Sequence, residues 1–247
     1  MKWGFFTPTH ILTLVLAAAM VTALYCGLKN KSQKSQTMVL FPLSLSGIAA
    51  IVFNLLRWGE PLAYLPLHLC SINALLLPIV VFTRSKTVGN LLLVWSLGAL
   101  AALVVNMAQA EYEIFSLTFA FYFFPHVLEF GIPILLFKLK LVELDYKCIG
   151  STLLLTILIY TGIHLCNVGL NAYCEANQIL NSAGEVIKVN YMYSMVPENP
   201  LLALFYQWVP YEYWYLYLIF PIVLVYLVIV YSGQILRAIK AKKKVTA

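Results

Sequence analysis

Long apolar stretches, separated by short polar segments, recur along the whole chain. A bilayer core of about 30 Å needs roughly 20 mostly apolar helical residues to cross it. Because almost no polar residues interrupt these stretches, they lack the polar face that a surface helix of a soluble protein presents to water. The pattern therefore predicts an all-α membrane protein with seven transmembrane helices, at Ile11–Cys26, Met38–Leu56, Tyr64–Phe82, Gly89–Ala108, Leu117–Phe137, Cys148–Leu165 and Tyr213–Tyr231.

The amino-acid composition points to the same class. Hydrophobic residues make up 62% of the chain and charged residues only 11%, whereas soluble domains average about 45–50% apolar and about 25% charged residues. These values exclude a soluble globular enzyme, a disordered chain and a disulfide scaffold. We expect one transmembrane domain over residues 1–247, in a multi-pass protein of the cell membrane.

Basic residues concentrate on one side of the predicted membrane. Seven spans place the N-terminus and the second, fourth and sixth loops together, and that side carries only Lys2, Arg57 and Lys188 of the 16 Lys and Arg. The other 13 lie in the remaining loops and in a basic tail at 233–247. Basic loops stay in the cytoplasm, so we expect an external N-terminus and a cytoplasmic C-terminus. Since topology explains the net positive charge, no nucleic-acid partner is expected.

The one long polar segment, at about 166–212, falls on the external side. It ends in a run of Tyr and Trp that includes Trp208. This run fits an ordinary interfacial belt, and it also fits a cover over a lipid-binding mouth. Cys166 and Cys174 lie eight positions apart there and could form a disulfide, although spacing alone does not establish one.

Ionisable residues inside the spans are the candidates for function, because each costs about 2.5–3.5 kcal/mol to insert. Cys70 lies in the third predicted span, two residues after His68. A regular helix would turn these two side chains about 200° apart, so His68 would face away from the thiol. Asn73, at i+3, can share the face of Cys70. A base for Cys70 would then come from another helix.

His126 in the fifth predicted span is the candidate base, and Glu129, at i+3, could orient its imidazole. The third and fifth predicted spans both begin on the external side. Cys70 and His126 would therefore lie about 9 and 14 Å below the external membrane surface. We therefore predict a dyad with Cys70 Sγ within about 4–6 Å of a ring nitrogen of His126, in a groove open to the outer leaflet. The thiolate would attack an ester or thioester carbonyl while His126 handles the proton. The other interpretation is that His126 and Glu129 are a polar pair that only packs and bonds across helices.

Several segments are similar to known membrane proteins. Leu65-Pro66-Leu67-His68-Leu69-Cys70, the span with Phe124-Pro125-His126, and Asn190-Tyr191-Met192-Tyr193 resemble the YwaF-like bacterial integral membrane proteins and, more loosely, the animal transmembrane protein 164 family. The resemblance implies a bundle of six or seven helices. It also implies transfer of fatty acyl chains between glycerophospholipids, with a Cys nucleophile and a His on a later helix, which match Cys70 and His126.

We therefore predict an acyltransferase that acts on membrane phospholipids. The catalytic residues would be Cys70 and His126, with support from Asn73 and Glu129. His68 would be a support or an oxyanion-side donor. Residues of the external segment would contact the substrate, namely Asn190, Tyr191 and Trp208. Membrane lipids are the expected partners, and neither a cofactor nor a metal is expected, since the histidines form no H-x-x-x-H pair. The alternative is a non-enzymatic membrane protein, either a small-solute transporter or a lipid-binding component, whose polar residues line a pathway.

Overall fold

The computed structural model describes residues 1–58, 61–105, 109–198 and 200–245, with the backbone alone for 240–245. The fold of these residues is all-α, which confirms the predicted class. The helices, in chain order, are α1 Pro8–Leu28, α2 Gln33–Ser44, α3 Ser46–Trp58, α4 Leu69–Thr83, α5 Lys86–Val104, α6 Leu117–Lys138, α7 Ile149–Ala176, α8 Pro200–Trp208 and α9 Ile219–Val245.

Six helical segments of the described residues are long and apolar enough to cross a membrane. They are α1, the α2–α3 pair, α5, α6, α7 with the turn before it, and α9 with the turn before it. The third predicted span corresponds to α4, which has only 15 residues and a length of about 22 Å. The seven predicted spans are thus six helices of membrane length and one shorter apolar helix.

Several predicted boundaries are wrong. The seventh span starts at Ile219 instead of Tyr213, and its helix continues to Val245 instead of ending at Tyr231, so most of the tail expected at 233–247 is helical. The third span starts at Leu69 instead of Tyr64, because Pro66 disfavours helical backbone at the residue before it. The sixth span continues to Ala176 instead of ending at Leu165, since its later polar residues bond to a neighbouring segment of the protein. The end of the fourth predicted span, with the amide residue Asn106, lies outside the described residues.

Polar contacts between helix ends and the adjoining loops join the basic segments at one end of the bundle. The Gln36 side chain donates to the Leu28 carbonyl at 3.0 Å, and Arg84 donates to Gln33 at 2.7 Å. Lys86 pairs with Asp145 at 2.5 Å, and this ammonium lowers the pKa of the Asp145 carboxyl. We call this the basic end, and the opposite end, where α4 and α6 begin, the site end.

Helix α6 lies in the middle of the bundle and packs against each of the helices α1 to α5. Its residues Ile132 and Leu136 are completely buried. Gly131 allows α1 to approach closely, since an added Cβ would lie 2.5 Å from a Val21 methyl carbon. Helix α5 in turn packs against α7 and against α9. Polar side chains of α6 are therefore held among several helices.

An irregular segment at 187–194, which we call the strap, runs along the outer part of α7. Asn171 binds both backbone groups of Val189, donating to its carbonyl at 3.0 Å and accepting from its amide at 2.7 Å. Asn167 does the same with Tyr191, at 2.9 and 3.0 Å. Two side-chain amides one turn apart thus pair with the strap much as a neighbouring strand would.

The strap reaches the start of α4. The Tyr191 hydroxyl donates to the Leu62 carbonyl, and the Met192 amide donates to Nδ1 of His68 at 3.3 Å. Met192 and Tyr193 both have positive φ, 53° and 57°, a region that costs non-glycine residues about 1–3 kcal/mol each. The surrounding contacts therefore hold the strap in an unusual conformation directly beside the helix that carries Cys70.

Candidate active site

A small cavity of about 90 Å³ lies between α3, α4 and α6, and Cys70, His126 and Glu129 all line it. Cys70 comes from α4, while His126 and Glu129 come from α6. Cys70 and His126 are half-buried. The space is enough for a few water molecules. The structure therefore brings three of the predicted site residues to one cavity.

Cys70 lies in the first turn of α4. His68 is the N-cap residue, with extended backbone and no side-chain cap bond, and the first amide to bond back to it is that of Ile72, at 3.0 Å. The amides before Ile72 have no intrahelical carbonyl to bind, as in any first helical turn. The Cys70 thiol interacts with its own amide and with the amide and side chain of Ser71. Since no helical carbonyl binds these amides, they can bind an oxyanion that forms beside the sulfur.

His126 is held by the backbone of its own helix. Its Nδ1 lies 2.6 Å from the carbonyl oxygen of Tyr122, and the two rings lie 4.4 Å apart. Since a carbonyl only accepts hydrogen bonds, Nδ1 carries the ring proton in the neutral imidazole. Nε2 then keeps its lone pair, which a general base needs. The Tyr122 carbonyl provides a hydrogen bond that orients this ring, and the orienting role expected of Glu129 stays a prediction.

Glu129 lies almost one helical turn beyond His126 and is only 4% exposed. Its Oε2 makes no hydrogen bond in the described part of the chain. The carboxyl interacts electrostatically with the Cys70 thiol. It also lies against α3, since a Cβ added to Gly47 would be 2.9 Å from Oε1. The distance between Cys70 Sγ and the His126 ring stays a prediction.

His68 does not line this cavity. Its Nδ1 accepts from Met192, so Nε2 carries the proton of the neutral ring. The ring packs against those of Tyr191 and Tyr193, at centroid distances of 5.5 and 5.7 Å. The argument that a helix turns His68 away from Cys70 is wrong, because His68 precedes the helix and has extended backbone. Its role as an oxyanion-side donor stays a prediction.

Asn73 lies outside the cavity as well. It is 2% exposed, and its Nδ2 donates to the Trp95 carbonyl at 3.2 Å. The predicted support from Asn73 therefore consists of joining α4 to α5.

The three predicted substrate-binding residues are also apart from the cavity. Asn190 folds its own loop by bonding the backbone of Val196 and the carboxyl of Glu198. Tyr191 is 1% exposed, with its amide and hydroxyl bonded within the protein. Trp208 is exposed at the end of α8. Of the three, Trp208 is the most exposed and Asn190 is half-buried, and the predicted substrate contacts stay predictions.

The cysteines are all free, and Cys166 and Cys174 form no disulfide. Both lie on α7, where eight residues separate them by about 12 Å along the axis. Bridged cysteines have Cα atoms less than about 7 Å apart. The disulfide that the sequence left open is therefore excluded by the length of this helix.

Sequence reasoning did not find several residues of the site. Tyr122, Ser71 and Gly47 all line the cavity, and Tyr193 lies on the strap close to the thiol. Burial raises the pKa of Tyr193 to about 12, and the nearby Cys70 adds to this effect. The i−4 spacing from His126 indicates that Tyr122 shares its face. A backbone acceptor such as the Tyr122 carbonyl, however, leaves no signal in the side-chain pattern.

The all-α bundle with its membrane-length helices and polar cavity defines a multi-pass membrane protein whose helices lie in lipid. The chain belongs to the TMEM164 family, because the family model matches residues 5–231. This confirms the predicted relationship at the level of the family, and the narrower YwaF-like assignment stays a prediction. No match was found among the curated proteins or among the solved structures.

Proposed function

We propose that this protein transfers acyl chains between membrane phospholipids and carries the chain on Cys70. The observation that supports this proposal is the shared cavity. A thiol at a helix N-terminus and an imidazole whose Nε2 keeps its lone pair in the neutral ring line one space inside a membrane bundle. A nucleophile beside a base that a third group orients is the usual arrangement of covalent catalysis. In this protein the third group is the Tyr122 carbonyl.

The first half-reaction forms a thioester. Nε2 of His126 takes the proton of the Cys70 thiol, and the sulfur attacks the ester carbonyl of the donor lipid. The amides of Cys70 and Ser71 stabilise the oxyanion. The carbon–oxygen bond then breaks, and the departing alcohol takes the proton from His126. The products are a lysophospholipid and the S-acyl enzyme.

The second half-reaction runs the same steps in reverse. The hydroxyl of an acceptor gives its proton to Nε2 of His126, and its oxygen attacks the thioester carbonyl. The carbon–sulfur bond breaks, and Cys70 recovers the proton from His126. No redox partner or cofactor enters this balance.

The position of Cys70 suits this chemistry. It lies in the first turn of α4, near the site end of the bundle, whereas lipid chains fill the middle of the bilayer. Since ester groups lie just below the lipid headgroups, a thiol near a helix end lies at the depth of the bond to be broken. The cavity of about 90 Å³ has room for the reacting carbonyl, while the acyl chains would stay in the surrounding lipid of the cell membrane.

Serine substitution of single cysteines tests the proposal. We expect Cys70→Ser to lower transfer between a labelled phosphatidylcholine and a lysophospholipid by at least about 100-fold in reconstituted vesicles. His126→Gln should lower the same transfer by about 100-fold or more, because the base is missing. Cys148→Ser is the matched control, since Cys148 is a free cysteine that is more deeply buried than Cys70 but lies at the basic end, and this variant should keep wild-type activity.

Equal activity of wild type and Cys70→Ser would exclude Cys70 as the nucleophile. A wild-type protein that transfers no acyl chain from any phospholipid to any lysophospholipid would contradict the proposed function itself.

A further inference from the structure

We infer that Glu129 binds the acceptor hydroxyl at this site, and holds it against the base for the second half-reaction. The inference rests on the proposed acyl transfer and assigns a separate role within it. Cys70 and His126 suffice to load an acyl chain, but they do not select which oxygen removes it. Water and a lipid alcohol would compete for the thioester unless the protein binds the alcohol.

The carboxyl of Glu129 has an oxygen, Oε2, without a hydrogen-bond partner among the described residues. Glu129 is nine-tenths or more buried, and it lines the cavity. Buried polar atoms are nearly always hydrogen-bonded, so an exception needs an explanation. A carboxyl group that lines a cavity and is satisfied by a bound ligand is such an explanation.

Among the described side chains, no Lys or Arg forms an ion pair with this carboxyl. The ion pairs among these side chains involve Glu111, Glu143 and Asp145 instead. Burying an unpaired carboxylate is costly, whereas a neutral carboxyl with hydrogen-bond partners is tolerated. A neutral carboxyl offers one O–H donor and one carbonyl acceptor.

The spacing along α6 places this carboxyl beside the base. Residues at i and i+3 are neighbours on a helix, with Cβ atoms about 5–6 Å apart, so Glu129 and His126 can both reach one small group between them. A hydroxyl in that position accepts a hydrogen bond from the Glu129 O–H and donates its own proton to Nε2 of His126. This is the geometry that the second half-reaction requires.

The helix on the opposite wall makes room for this carboxyl. Gly47 of α3 lies directly against it, and any larger residue would place a Cβ 2.9 Å from Oε1 and 2.5 Å from the Cβ of Ala74. If Glu129 only filled space, an apolar side chain would do so without leaving a polar atom unpaired. The observed packing thus keeps a carboxyl at the cavity wall.

The test separates loading from transfer. Protein is first loaded with a short-chain acyl thioester donor, and the acyl-Cys70 enzyme is quantified by intact mass. A lysophospholipid is then added at increasing concentration, and the loss of the acyl adduct is followed. We expect Glu129→Leu and Glu129→Met to load normally, while the half-saturating concentration of the acceptor rises by at least about tenfold. Glu129→Gln should stay within about threefold of wild type, because an amide also donates and accepts.

Thr152→Val is the matched control. Thr152 is likewise buried with an unpaired oxygen, but it lies on α7 and does not line the cavity, so its acceptor dependence should be that of wild type. Normal acceptor dependence in Glu129→Leu or Glu129→Met would overturn the inference. Loss of loading in both of these variants would also overturn it, and so would loss of acceptor use in Glu129→Gln. If the wild type never forms an acyl adduct, the proposed function fails instead.

Discussion

At the scale of single residues, irregular backbone near the site is held by a few side-chain amides. The strap has no regular secondary structure with which to satisfy its backbone groups, apart from the short turn at Tyr191–Tyr193. Asn167 and Asn171 bind the groups of Tyr191 and Val189 instead. Unpaired backbone groups in a buried place cost about as much as a lost hydrogen bond. The conformation of the strap therefore depends on these two side chains. The position of the strap amide that bonds to His68 depends on them as well.

We expect Asn171→Ala to destabilise the protein by about 1–3 kcal/mol, since it removes two hydrogen bonds and leaves both groups of Val189 without a partner. Asn177→Ala is the control, because the Asn177 side chain bonds only the carbonyl four residues earlier at an exposed helix end. Thermal melting in detergent and hydrogen exchange over 187–191 measure the effect. Equal exchange in the two variants would show that Asn171 does not hold the strap.

The key side chains of the cavity were predictable, while their local partners were not. Cys70, His126 and Glu129 stand out because they are polar residues inside apolar stretches. Ser71 contributes through its backbone amide, Tyr122 through its carbonyl, and Gly47 through the absence of a side chain. These contributions depend on backbone position and on close approach, which hydropathy does not report.

At the scale of helices, the apolar pattern predicts how many elements form but not where each one ends. Helix α4 begins at Leu69, five residues after the predicted start at Tyr64. This later start places Cys70 in the first helical turn, where amides lack a helical carbonyl to bind, rather than in mid-helix. Helix α7 continues beyond its predicted end because Asn167 and Asn171 face the strap, where they are satisfied by protein rather than by lipid. A reading based on polarity alone would assign both residues to a loop, although they lie in the helix.

At the scale of the whole molecule, the helix ends define two faces of different charge. The basic end carries the loops with most of the Lys and Arg, and it includes the pairs of Lys86 with Asp145 and Glu143. The site end carries Lys2, Arg57 and Lys188. We propose that the basic end lies in the cytoplasm, which places Cys70 near the external leaflet.

Cysteine labelling tests this orientation. In a background with the native cysteines replaced by serine, a membrane-impermeant maleimide should label Ala183→Cys on intact cells, because this residue lies on an exposed loop at the site end. Lys31→Cys, at the basic end, should be labelled only after the cells are permeabilised. The reverse pattern would place the site in the cytoplasmic leaflet.

The measurement that tests the central claim most directly is the search for an acyl chain on Cys70. The purified protein is incubated with vesicles of a single phosphatidylcholine, and its intact mass is recorded before and after treatment with neutral hydroxylamine. We predict an added mass of one acyl chain that maps to Cys70, is removed by hydroxylamine, and is absent from Cys70→Ser but present in Cys148→Ser. An unmodified wild-type protein in the presence of demonstrable acyl transfer, or an adduct that persists in Cys70→Ser, would contradict the account.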